Sequence, residues 1–227
     1  SSDLAPNALH NLVWNSRRIR DGSTYRTVDA PNLIDSSDRW FRPVYAGVGP
    51  DGAAYLADWY DTRLSHVSPT DDWHKESGRV YRIVPEGATP AYKEGDLHEI
   101  PSEQLLGKLQ HANKWVRQRA VLELGWREDD SVLDRLDVMA AAGSLEAVWA
   151  VNLMGQLTPA RVDDWLGHQD PNIRRWVVRL LGDRHQSHPK FVELAAADDD
   201  SQVRSQLAAT AKRIAVEDAI PVIKALI

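Results

Sequence analysis

Ala120-Val-Leu-Glu-Leu-Gly125 aligns with Ala150-Val-Asn-Leu-Met-Gly155, and Val178-Arg-Leu-Leu-Gly182 stands in the same place roughly 27 residues further on. Arg117, Arg174 and Arg204 also share one position of this repeat, so its unit is roughly 27 to 30 residues long. Apolar residues within each unit recur three and four apart, the spacing of one helical face. Two helices of about 10–14 residues with their turns fill such a unit. A hairpin of that size cannot bury its apolar face alone, so neighbours must stack into an array held by contacts between adjacent units.

Helix starts divide the array in the same way. Thr158-Pro159 and Asp170-Pro171 each put a capping oxygen before a proline at the first helical position, where the missing N–H costs nothing; His188-Pro189 is a weaker version. Asn113 and Asp200 occupy the repeat position of Asp170, which predicts that they cap the second helix of their hairpins. About four hairpins fit residues 102–227, with Ile220 to Ile227 opening a fifth; its apolar face would lack a partner, so the natural chain is expected to continue. The expected architecture of this half is an α-solenoid of HEAT-like helical hairpins.

Residues 1–86 follow a different grammar. Gly, Pro, Asn and Asp punctuate short β-rich runs, predicting strands near Leu9 to Ile19, Tyr25 to Val28, Val44 to Val48, Ala53 to Asp58 and Arg79 to Val84. Asp21-Gly22 and Asp51-Gly52 supply tight turns. Pro85 to Pro101 is poor in apolar residues and reads as a linker over residues 87–101. The expected fold class is therefore α+β in two parts: an antiparallel sheet resembling part of a β-propeller blade, then the α-solenoid.

Charge and composition narrow the partners. A net charge of −6 without a polybasic run argues against nucleic acid, which selects a basic face. No apolar run approaches the roughly 20 residues that a transmembrane helix needs. Cysteine is absent, which excludes disulfides, thiolate metal sites and covalent c-type haem attachment within these residues. No signal-peptide pattern opens the sequence, so an export signal, if used, is expected to lie upstream or to have been cleaved.

The loop from Tyr60 to Ser77, about 18 residues without clear periodicity, is long enough to suggest a role. Arg42, Asp58, Asp61, His66 and His74 are the candidate pocket residues; Asp71 and Asp72 add carboxylates. Such groups suit acid–base chemistry or oxygen ligation of Ca²⁺, and they equally suit a solvated loop; their spacing matches no metal template. Arg42 offers a planar fork for a carboxylated cofactor or substrate, or a structural partner for Asp38 or Asp58. Trp40, Trp59 and Trp73 suit stacking on a sugar or packing inside a sheet. In the helical half, Asp170, Arg174, Asp200 and Arg204 are expected to form a ladder in which an arginine of one repeat meets an aspartate of its neighbour. Trp115, Trp149 and Trp176 fall within the second helices, where an exposed pair would make a binding hot spot. No catalytic residue is assigned, and neither a G-x-S-x-G, a P-loop nor a G-x-G-x-x-G is present.

Phe41-Arg-Pro-Val44, Val48-Gly-Pro-Asp-Gly-Ala53, Tyr55-Leu-Ala-Asp-Trp-Tyr-Asp61, His66 and Gly78-Arg-Val-Tyr-Arg-Ile83 resemble the last propeller segment of planctomycete-type membrane-bound dehydrogenases, the sorbosone- and glucose-dehydrogenase-like proteins. Leu109-Gln-His-Ala-Asn-Lys-Trp-Val-Arg-Gln-Arg-Ala120 is similar to the HEAT region that follows in that family. The resemblance implies an exported parent protein, in the periplasm or at the cell surface, that oxidises a sugar or alcohol with pyrroloquinoline quinone and passes electrons to haem c. Most blades and the haem module of that family lie outside this sequence, so no cofactor is expected in the chain itself. The expected function is a non-catalytic C-terminal part whose solenoid serves as spacer or docking arm for a protein partner or for the rest of the parent chain. The alternative is a stand-alone HEAT-repeat interaction module with a β cap.

Overall fold

A computed structural model describes residues 2–63, 70, 72–88 and 91–227. The chain divides into two compact units, one built from Ser1–Asp21 and Tyr25–Gly95, the other from Gly22–Thr24 and Asp96–Ile227. The architecture is mixed α+β, with two three-stranded antiparallel sheets followed by helices.

The first sheet has the order β1 (Ser2–Asn7), β2 (Leu12–Asp21), β3 (Thr24–Asp35). Strand β1 was not expected, because Ser2–Asn7 carries Pro6 and shows no alternation. It nevertheless pairs with β2 from Ser2↔Arg17 to Asn7↔Leu12. Its edge position explains the tolerance, since an edge strand can leave one side of its backbone unpaired. The same argument covers Pro31 within β3, which runs well beyond the expected Tyr25 to Val28.

The second sheet has the order β4 (Pro43–Val48), β5 (Ala54–Asp58), β6 (Arg79–Ile83), with a bulge between Pro43 and Tyr45. Its first turn forms where Asp51-Gly52 predicts one: Gly52 adopts a φ of +81°, and Asp51 Oδ1 accepts from Ala53 N at 3.0 Å. Asp51 also binds Arg82 at 2.7 Å, which ties that turn to β6. Val13, Phe41 and Leu56 form the buried core of this unit, with Leu4, Ile34, Ala46, Tyr81 and Ile83 packed around them.

The helical unit holds α1 (Ser102–Lys108), α2 (Lys114–Arg127), α3 (Leu133–Ala141), α4 (Leu145–Leu153), α5 (Pro159–Leu166), α6 (Pro171–Asp183), α7 (Lys190–Ala197), α8 (Ser201–Thr210) and α9 (Val216–Leu226). Consecutive helices pair as α1/α2, α3/α4, α5/α6 and α7/α8, and the second members stack as α2 on α4, α4 on α6 and α6 on α8. Val116, Ala120, Leu124, Ala147, Val151, Ile173, Val177 and Leu207 are buried between them. The predicted caps are in place: Asn113, Asp170 and Asp200 accept from Trp115 N, Asn172 N and Gln202 N, each at 2.8 Å. Ser144 caps α4 in the same way through Ala147 N at 3.2 Å, and Thr158 caps α5. No helix among the described residues is long and apolar enough to cross a membrane.

Candidate functional site

At the end of β5 the chain reaches Asp58, which is buried, and two residues later turns through Tyr60 at a φ of +47°. That left-handed turn is held by the carboxylate before it. Asp58 Oδ1 accepts from Arg42 N at 2.7 Å and Tyr60 N at 2.9 Å, and Oδ2 accepts from the Tyr81 hydroxyl at 3.2 Å. Asp61 is fully buried and closes the next bend, accepting from Arg63 N at 2.9 Å and His74 N at 2.8 Å. Desolvation pushes the Asp61 carboxyl up, but those two N–H groups, the nearby His74 and a hydrogen bond from Trp59 outweigh it and hold the group below the ordinary 3.8. Asp61 thus holds the loop's backbone, while Asp58 divides between backbone N–H groups and the Tyr81 hydroxyl.

The Arg42 guanidinium meets neither Asp38 nor Asp58. Its Nη1 donates to Ala8 O at 3.2 Å and Phe41 O at 3.5 Å, while the buried Nε has no hydrogen-bond partner among the described residues. His74 is drawn in through its backbone, and its exposed ring lies 4.4 Å from that of Trp40. Arg63 pairs with Asp72 at 2.6 Å and lies over the Trp73 ring, which meets Trp59 edge-on at 5.7 Å. Of the candidate set, Asp58, Asp61 and His74 thus share one loop scaffold, and Arg42 joins it through its main chain. His66, like Asp71, lies outside the described residues. Among the described residues no group of three or more His, Asp or Glu is placed to hold a metal ion.

In the helical unit the repeat arginines share a common geometry. Arg117 Nη1 donates to His111 O and its Nε reaches Glu146 at 2.8 Å; Arg174 Nη1 donates to His168 O while Nε and Nη2 clamp Asp198 at 2.7 and 2.8 Å. Each arginine therefore closes its own hairpin turn and reaches a carboxylate of the next hairpin. For Arg174 that carboxylate is Asp198, two residues before Asp200, whose Oδ1 caps α8. The Asp198 contact raises the Arg174 guanidinium above its ordinary value, against the opposing desolvation. Asp170 likewise serves as a cap, and Arg204 donates to Leu226 O at 3.2 Å, at the end of α9. Arg161 of α5 and Asp137 of α3 make a further bidentate link, at 2.7 and 2.8 Å.

Sequence reasoning missed a second periodic feature. His111 and His168 accept from the N–H of their caps, Asn113 and Asp170, through Nδ1, and Asp198 does the same for Asp200. The spacing of the two histidines equals that of Arg117 and Arg174, which is the signal that could have found them. With Nδ1 accepting in both, the other ring nitrogen faces outward from the cap, and that of His168 lies 3.0 Å from Ala141 O.

Residues 1–87 match a domain of unknown function, DUF7133. Neither a curated protein nor a solved structure is significantly similar to the chain. The matched stretch carries β1 to β6 and the loop held by Asp58 and Asp61.

Proposed function

We propose that the chain is a non-catalytic, protein-docking part of a larger exported protein of the sugar- or alcohol-dehydrogenase-like kind. In this reading the β unit is a terminal propeller-blade segment and the helices form a HEAT-like α-solenoid that serves as the docking arm. Pyrroloquinoline quinone and haem c would belong to the parent's other parts. The observation that supports the non-catalytic reading is the commitment of Asp58 and Asp61, two of the candidate pocket residues, to hydrogen bonds from backbone N–H groups and the Tyr81 hydroxyl. The docking role is supported by the row of exposed apolar side chains on successive second helices, Leu122, Trp126 and Leu153. Incubating the purified chain with aldoses or alcohols, pyrroloquinoline quinone and a dye acceptor should give no dye reduction above the protein-free rate. Turnover that Asp61→Asn abolishes would overturn the proposal.

A further inference from the structure

Helix α9 packs against α7 and α8, and its Ala219 and Val222 are buried. Its outer side is apolar as well. Val216, Ile220 and Ile223 are 69%, 46% and 45% exposed. Side chains on a helix turn by about 100° per residue, so these three fall within about 60° of one another and form a single stripe. The other first helices show nothing similar: α3 and α7 each expose one large aliphatic, Val138 and Val192. An apolar stripe at helical spacing marks a packing face, and this one has no cover among the described residues.

The charges beside the stripe differ in sign at its two ends. Glu217 stands in the first turn of α9 and Lys224 in the last. At about 100° per residue the two share one flank of the stripe, and the buried Ala219 and Val222 lie on the other. Neither Glu217 nor Lys224 has an ion-pair partner among the described residues. The helix dipole favours an acid at the first turn and a base at the last, but it does not ask that both stand on one flank. That placement makes the stripe complementary to itself. When two such helices pack antiparallel about a two-fold axis, like flanks face each other, so each Glu217 comes beside the other copy's Lys224. Parallel packing would turn the charged flank toward the other copy's Ala219 and Val222 side.

We infer that the outer stripe of α9 is covered by the same stripe of a second copy of this chain, packed antiparallel, with Glu217 and Lys224 paired twice across the two-fold axis. The inference is separate from the docking role proposed above. A helix of another protein would need no such symmetry; the match of the stripe's charges to their own reversal is what selects a second copy. A two-fold contact of this kind closes on itself and stops at two copies. The 11 residues of α9 make about 16 Å of helix, so the contact lies at the small end of specific interfaces and the dimer should dissociate in the micromolar range.

Analytical ultracentrifugation of the full chain from about 1 μM to about 1 mM tests the inference. The mean mass should rise with concentration from the 25.5 kDa of one chain toward that of a dimer. Ile223→Ser should weaken association about tenfold, since each dimer loses two aliphatic contacts, and Ile220→Ser should do the same without touching a charge. Lys224→Glu should weaken it by a similar factor, because two attractive pairs become repulsive, and combining it with Glu217→Lys should bring affinity back to within about threefold of the original. Circular dichroism confirms that these surface variants stay folded. A chain that remains monomeric over the whole range would overturn the inference. Association that both serine variants leave unchanged would remove α9 from the interface. An association constant that Lys224→Glu does not lower, or that the double reversal does not restore, would overturn the antiparallel second copy.

Discussion

Asp61 is fully buried, yet its carboxyl is held below the ordinary value of 3.8 because N–H donors surround the charged form. A group whose pKa is lower folded than unfolded stabilises the fold above its unfolded value, and that contribution vanishes as pH falls through the folded value. The chain should therefore lose stability as pH drops below about 4, and Asp61→Asn should lack that component. The amide cannot accept from both Arg63 N and His74 N, so at neutral pH the variant should be less stable by about 1–3 kcal/mol. Urea titrations at several pH values check both points; parallel pH profiles would refute the role given to Asp61. The sequence singled out Asp58 and Asp61 by residue type and loop length. It could not show that they face inward, because which N–H groups a carboxylate meets depends on the turn at Tyr60 and on the return of the chain at His74.

The local geometry of the helices was legible and the links between them were not. A cap accepts from an N–H two or three residues ahead, so Asn113, Asp170 and Asp200 could be read from spacing alone. The partner of Arg174 depends on how far one hairpin rises over the next, and a shift of half a turn replaces Asp200 with Asp198. The aligned glycines mislead in the same way: Gly125 and Gly182 sit against Leu153 and Thr210 of the next helix, whereas Gly155 lies past the end of α4 at a φ of +74°. The observed pairing predicts a clear energetic order. Asp198 has a side chain only 1% exposed, so Arg174→Ala strands a buried charge and should cost about 3–5 kcal/mol. In double-mutant cycles Arg174 should couple strongly to Asp198 and far less to Asp200. Equal coupling to both would show that the clamp is not specific.

At the scale of the molecule, the change of period separated strands from helices because the two spacings cannot be mistaken for each other over a whole half of the chain. The edge strand β1 escaped because edges tolerate the residues that usually rule strands out. Another feature with little sequence signal is the strap before α1, where Arg127 at the end of α2 donates to Leu97 O, His98 O and Ile100 O at 3.1, 2.6 and 2.6 Å. Leu97 is buried, and His98 supplies the hydrogen bond to Glu123. Anyone expressing the helices alone therefore faces a choice of first residue that helix boundaries do not reveal. Starting at Ser102 discards the Leu97 side chain, worth about 1.5–3 kcal/mol of burial, and leaves the Glu123 carboxylate without His98. A polypeptide starting at Asp96 should melt at a clearly higher temperature than one starting at Ser102, and coincident melting curves would show the strap to be dispensable. Six residues with no helix among them would then decide whether the excised helices behave as a protein or as a sample that aggregates on the bench.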